Sequence, residues 1–425
     1  MKDKILKLVN ASEILTLKTG SKTPKAGREQ SEVNDIKNGS LIAVNGVIKW
    51  IGPANEMHEQ IPSDIGNYDV HEIDCSGKTI IPGLVDPHTH LIFGGSREDE
   101  FAMRNAGSSY QEIAAAGGGI KSTVNSTQKE DDEKLIDNAK TRLDRMLSLG
   151  TTTVEGKSGY GLSTKDELRI LRLQKQIDQT HPIDIVSTFL GAHTVPSGIE
   201  KEDYIKEVMG IMIPAVDREN LAEFCDVFCE KNVFTPEESE LILLRGKKYN
   251  LKPKIHADQL SAYGGSEVAS RVGAISADHL DYITSSGIKA LKNSKTIGVL
   301  LPGCVFFLGL DRYAPARQMI DAGIPIALST DLNPGTCYTE SLHIIMTIAC
   351  TRMKMSPEEA LVACTINAAH AINRQDSIGS LEPGKKADIA IFDCPAHRII
   401  PYHFGVNLCV TTIKDGEVVY TASRS

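Results

Sequence analysis

Ile81-Pro82-Gly83-Leu84-Val85-Asp86-Pro87-His88-Thr89-His90 joins a short apolar run to a pair of histidines. Leu84-Val85 has the continuous apolar character of a strand buried on both faces. Pro82-Gly83 closes what comes before it. Pro87 has no N–H to donate, so Asp86-Pro87 is expected to end the ladder. His88 and His90 follow two residues apart, and in extended chain residues i and i+2 point to the same side. Two imidazoles on one side of a strand end are half of a metal site. A bare His-x-His pair is as readily two solvated loop histidines. Here, candidate third and fourth ligands stand at the ends of later apolar strands, and the pair is read as metal-binding.

Outward from this stretch, short apolar segments alternate with longer amphipathic ones from about residue 82 to 370. The expected strands are 84–86, 151–156, 185–191, 223–228, 252–257, 275–279, 296–301 and 325–330. Helices lie between them with clear start signals. Thr235-Pro236-Glu237-Glu238 and Ser356-Pro357-Glu358-Glu359 read as capping boxes with proline at the first helical position. Thr164-x-x-Glu167 reads as another. Eight strands with intervening helices predict an α/β fold, a (β/α)8 TIM-like barrel, over residues 81–375. Residues 1–80 are β-rich, with a hairpin signal at Asn45-Gly46, and residues 376–425 carry a second at Lys414-Asp415-Gly416. Neither end is large enough for its own core, so both are expected to pair into one small β-sandwich beside the barrel.

The chain has 425 residues and a net charge of −9, with a pI of about 5.8. It has no long basic run, which argues against nucleic acid or an anionic membrane as partner. A small anionic substrate needs only one local arginine. No apolar run approaches the ~18 residues of a membrane span. The start, Met1-Lys2-Asp3-Lys4, leads into no signal-peptide core. Nine scattered cysteines suit reduced thiols and a cytoplasmic location. Cys225 and Cys229 read as two buried small hydrophobes.

Chemistry in such a barrel sits at the C-terminal strand ends. Those ends carry His88 and His90, then Gly191-Ala192-His193, then His256 with Asp258 and Gln259, then Asp278-His279, and finally Asp331. Three histidines and an aspartate suit Zn2+ or iron (Fe2+/Fe3+) better than Mg2+ or Ca2+. His88, His90, His256 and Asp331 are the expected ligands of one divalent transition metal with an open position for water. His279 is then free to hydrogen-bond that water or a substrate carbonyl. Asp278 is read as structural.

The arrangement resembles the amidohydrolase superfamily over nearly the whole chain. Binuclear members carry a lysine on strand four; the segment Glu223–Glu230 has none, so one metal is expected. A narrower resemblance rests on five blocks. They are His-Leu-Ile-Phe-Gly-Gly-Ser-Arg at 90–97, Ala-Gly-Gly-Gly-Ile at 116–120, Lys-Ser-Gly-Tyr-Gly-Leu at 157–162, Gly-Ala-His at 191–193 and Asp-Leu-Asn-Pro-Gly-Thr at 331–336. In this order they are similar to the imidazolonepropionases. Those enzymes open the ring of 4-imidazolone-5-propanoate to N-formimino-glutamate in histidine degradation with a single zinc or iron. The resemblance implies that Tyr110, Tyr160 and His193 line the substrate pocket and that Asn333, Gly335 and Thr336 contact the product. It also carries the expectation of a homodimer.

Arg97 offers a two-pronged fork for the substrate's carboxylate. Gly117-Gly118-Gly119-Ile120-Lys121 lacks the Gly-Lys step of a phosphate loop and reads as a flexible active-site loop. Many mononuclear relatives place a glutamate three residues after the strand-five histidine; here Gln259 stands there. An amide cannot shuttle a proton, so Gln259 is expected to orient substrate, and His279 or Asp331 is left as general base. Two other readings compete. One is a nucleobase deaminase of the same superfamily, which would share the metal site but not need Arg97. The other is a non-catalytic scaffold, which would have no reason to keep all four ligands.

Overall fold

In the computed structural model, residues 3–19, 22–60, 68–108, 112 and 117–423 are described. Sixteen strands are formed among them: β1 (Lys4–Leu15), β2 (Asp35–Val44), β3 (Val47–Pro53), β4 (Asp69–Asp74), β5 (Thr79–Pro82), β6 (Leu84–Thr89), β7 (Thr151–Lys157), β8 (Asp184–Ala192), β9 (Phe224–Cys229), β10 (Lys252–Ala257), β11 (Ser276–His279), β12 (Ile297–Leu300), β13 (Ile326–Leu328), β14 (Ile389–Phe392), β15 (Cys409–Lys414) and β16 (Glu417–Thr421). Strands β6 to β13 pair in sequence order, each parallel to the next. The first and last meet through a bridge between Thr89 and Leu332, which brings the sheet round into a nearly closed barrel. All eight expected strands are present.

The first barrel strand differs from expectation in one respect. It does not stop at Asp86-Pro87 but continues to Thr89. Asp86 pairs with Val154 and Thr89 with Gly156, so three steps on β6 match two on β7. This bulge takes Pro87 out of the ladder, where its missing N–H is not needed.

The N-terminal end of the barrel is plugged by the helix Ile366–Ala371. Its Ala368, Ala369 and Ala371 pack on Val85, Val186, Phe224, Ile297 and Ala327, near the starts of five strands. The helices Pro236–Lys247 and Pro357–Ala363 begin with the expected capping boxes, on Thr235 with Glu238 and on Ser356 with Glu359. The third expected box does not form. Ser163 caps the helix Thr164–Asp178 by accepting from the Asp166 N–H. Glu167 instead turns back and accepts the N–H groups of Gly159, Gly161 and Leu162. Three backbone donors of a tight loop outcompete a single cap for this buried carboxylate.

The two chain ends build one eight-stranded sheet, ordered β16-β15-β14-β5-β1-β2-β3, with β4 also on β1. The ends join where β14 runs antiparallel to β5, immediately before the first barrel strand. Leu8, Ile14, Leu41, Ile80, Ile389 and Ile413 form its buried core. Both hairpins form as read: Asn45 and Gly46 have φ of 48° and 78°, Asp415 and Gly416 of 50° and 77°, as type I′ turns require. The two turns touch. A Cβ on Gly46 would lie 2.5 Å from the Asp415 carbonyl oxygen, so the close approach needs glycine there.

Candidate metal centre

The C-terminal strand ends converge on a buried cluster of imidazoles. The His88 and His256 rings are 4.5 Å apart, His256 and His279 5.3 Å, and His88 and His90 5.6 Å. Asp331 enters from beyond β13, with Oδ1 3.5 Å from His88 Nε2 and 3.9 Å from His90 Nε2. Ligand atoms of His88, His90 and Asp331 all lie within 4.8 Å of one another, as do those of His88, His256 and His279. The four expected ligands and His279 are therefore brought together. His279 and Asp331 hold left-handed backbone, φ 78° and 54°, a strained conformation typical of functional positions.

These residues fit a divalent transition metal. His88 Nε2, His90 Nδ1 and His279 Nδ1 are buried without a hydrogen-bond partner among the described residues. Such orphaned donors and acceptors are costly unless a ligand satisfies them. Burial drives His88, His90 and His279 well below the usual histidine range, helped by neighbouring charges that include Lys157, and neutral imidazole is the form that binds metal. Burial also pushes the Asp331 carboxyl up to about 7; a cation beside it reverses that shift.

A second layer of charges lies behind the expected ligands. Asp278 Oδ2 is 2.7 Å from His88 Nδ1, which leaves Nε2 facing the cluster. Asp226 Oδ2 lies 3.0 Å from His256 Nδ1, off the ideal N–H direction, and Asp226 Oδ1 accepts the His256 backbone N–H. Asp278 is thus a partner of an expected ligand as well as a framework residue. Lys157 Nζ donates to Asp226 Oδ2 at 2.7 Å and to Glu155 Oε1 at 3.0 Å, and sits 3.4 Å from Asp278 Oδ2. Burial opposes the Lys157 charge, but Asp226, Glu155 and Asp278 outweigh it and hold the ammonium above its ordinary range. Asp86 binds Ser329 Oγ and both the N–H and Oγ1 of Thr330, which ties the approach to Asp331 back onto β6.

Sequence reasoning overlooked Lys157, Asp226 and Glu155 as site residues. The available signal was charge inside strands: Glu155 and Lys157, two apart on the wholly buried β7, share one face. It also overlooked Cys304, whose sulfur lies within 4.8 Å of ligand atoms of His279 and Asp331. Burial raises the Cys304 thiol well above its usual range.

Of the expected substrate residues, His193 and Tyr160 border this cluster. His193 stacks on His90 at 5.0 Å and 8°, fixed by Nδ1 at 3.0 Å from the Gly159 carbonyl. Tyr160 is 5.3 Å from His90 and 5.6 Å from His193. Arg97 Nη2 donates to Glu100 at 2.7 Å, and the other Glu100 oxygen accepts the Gly119 N–H at 2.9 Å. The glycine-rich loop is tied to Arg97 in this way. Arg97 also lies on Gly335, where a Cβ would fall 1.9 Å from Nη1; a side chain there would displace the guanidinium from this position. Asn333 spends its amide on the turn, accepting from Gly335 and Thr336 N–H and donating to the Asp331 carbonyl. Thr336 Oγ1 accepts from Asn333 Nδ2. Gln259 Nε2 points at Cys304 Sγ, 3.7 Å away. Tyr110 lies outside the described residues.

The chain is 50% identical over 416 residues to the imidazolonepropionase of Geobacillus thermodenitrificans, covering 97% of each chain. The chain belongs to the imidazolonepropionase family. A relative of the same name from Parabacteroides distasonis is 44% identical, covering 96% of this chain and 97% of its own. A profile described as "Amidohydrolase family" matches residues 271–420, the run from before β11 through the last strand. Among solved structures, an E. coli guanine deaminase superposes with a TM-score of 0.72 at 16% identity, covering 100% of both chains. An adenosine deaminase from Xanthomonas campestris with bound zinc gives 0.71 at 15%, covering 99% of this chain and 93% of its own. At such identities the shared property is the fold. No helix among the described residues is long and apolar enough to cross a membrane.

Proposed function

We infer that the chain hydrolyses the cyclic amide C–N bond of 4-imidazolone-5-propanoate, yielding N-formimino-L-glutamate in histidine catabolism. The observation that carries this reading is Arg97, seated on Gly335 four residues beyond the ligand Asp331. A cationic fork on the rim of a His/Asp cluster suits a small ring that bears a carboxylate. Neutral nucleobases have no use for it.

His88, His90, His256 and Asp331 would hold one divalent transition metal, zinc or iron, which would supply Lewis-acid chemistry at the site. The chain's own residues orient and protonate. Arg97 keeps its Nε unpaired among the described residues and presents it to the propanoate carboxylate. Tyr160 and His193 wall the ring against His90 and exclude water. Gln259 hydrogen-bonds the substrate without moving protons. Asn333, Gly335 and Thr336 shape the turn that seats Arg97 and receives the product, and the family resemblance adds Tyr110 to the substrate-binding residues. Water adds to the ring carbonyl carbon, the ring C–N bond breaks, and the water proton passes to the leaving nitrogen. His279 and Asp331 are the groups that carry it, since Gln259 cannot. The same reading takes the enzyme to be a cytoplasmic homodimer.

The test is turnover of 4-imidazolone-5-propanoate by metal-replete protein, with guanine and cytosine as controls. Ring opening without deamination supports the reading. Deamination of a control base without ring opening overturns it.

A further inference from the structure

We propose that Lys157 is a positioning residue for the metal centre: its buried ammonium holds Asp226 and Asp278, the two carboxylates seated on Nδ1 of His256 and His88, and so aims both imidazoles at one point. This rests on reading His88 and His256 as metal ligands. The geometry is compact. Lys157 Nζ reaches Asp226 Oδ2 at 2.7 Å and Asp278 Oδ2 at 3.4 Å. Those same two oxygens lie 3.0 Å from His256 Nδ1 and 2.7 Å from His88 Nδ1. All three charged side chains have no solvent exposure. One ammonium thus sits behind two carboxylate–imidazole pairs that come from β6, β9, β10 and β11.

The physical consequence is specific. Asp278 on His88 Nδ1 selects the tautomer that bears its proton there and leaves the Nε2 lone pair free, and the charge of Asp226, 3.0 Å from His256 Nδ1, favours the same tautomer at His256. Ser276 Oγ anchors Asp278 Oδ1, and the Val227 and His256 N–H groups anchor Asp226 Oδ1; Lys157 is the cation shared by the two Oδ2 atoms that face the imidazoles. Without the ammonium, two buried negative charges of like sign lose their nearest shared cation. They then relax towards protonation or towards other donors, and the imidazoles lose their aim. Lys254 provides an internal contrast. It is equally buried, but its contacts are Glu155 at 2.8 Å and the Pro87 and Ala371 carbonyls at 3.2 and 3.3 Å. It supports the barrel floor: its hydrogen bonds go to neither Asp226 nor Asp278, and only its charge is felt at Asp278.

Partners of metal-binding histidines typically change metal affinity by about ten- to a hundredfold. Lys157→Met is therefore expected to weaken zinc binding by about that factor, measured without substrate by competition against a chromophoric chelator. Lys254→Met is expected to lower the unfolding temperature while changing zinc affinity less than about threefold, well short of that range. Should Lys157→Met fail to fold, Asp278→Asn and Asp226→Asn carry the test, each expected to weaken zinc binding about tenfold or more. Wild-type affinity in a folded Lys157→Met protein, or in both Asn variants, overturns the proposal. Equal loss in Lys254→Met also overturns it, because the effect would then be general destabilisation. A separate control, His256→Ala, distinguishes the two readings. If it binds zinc as the wild type does, the ligand assignment itself has failed.

Discussion

The two ends of the barrel are made by the same eight strands and are built on opposite principles. At the N-terminal end, Val85, Val186, Phe224, Ile297 and Ala327 press on the alanines of the helix Ile366–Ala371. The chemistry there is dispersion and dry surface, and it needs nothing from outside the chain. At the C-terminal end, four histidines and Asp331 are equally buried, yet several of their nitrogens have no partner among the described residues. Burial there costs free energy and leaves backbone strain at His279 and Asp331. The contrast shows where a barrel's stability is made and where it is spent on function.

This comparison predicts separable consequences. The largest effect is expected from His256→Ala, which should cost about a thousandfold in kcat/KM, several kcal/mol of transition-state stabilisation. Its metal-free unfolding free energy should change little, as denaturant titration would show. A large stability loss instead would mean that the C-terminal end also holds the fold. The mirror-image substitution is Phe224→Ala, fully buried at the floor. It should cost about 3–5 kcal/mol of stability with kcat per folded, metal-loaded molecule near wild type; a collapse in kcat would erase the division between the ends. Arg97→Ala should raise KM by about ten- to a hundredfold, the worth of hydrogen bonds to a charged group. Steady-state kinetics with unchanged KM would sink its carboxylate role. The smallest effect is expected from Gly335→Ala. Its Cβ would lie 1.9 Å from Arg97 Nη1, so the guanidinium must move, and KM should rise about several-fold, less than on deleting the fork.

Most of the architecture was readable before the structure, for a physical reason. Strands buried on both faces are continuous apolar runs, and a histidine at the end of such a run is conspicuous because the interior offers it no water. That is how His88, His90, His256, His279 and Asp331 stood out. Lys157 and Asp226 did not, because their meaning lies in their pairing. Lys157 finds Asp226 69 residues away, and each alone resembles a charge out of place. The same limit applies to Glu167. Its spacing from Thr164 fits a capping box, but the folded loop brings three N–H groups closer to the carboxylate. Pro87 was overread in the other direction: a missing donor ends a regular ladder, but a bulge lets the strand pass it.

The most direct measurement of the central claim is ring opening of 4-imidazolone-5-propanoate before chelation, after chelation and after metal is restored, with metal content followed in the same samples. The expected result is loss of turnover with loss of about one metal ion per chain, and recovery when zinc or iron is returned. Turnover that persists in metal-free protein would contradict the account.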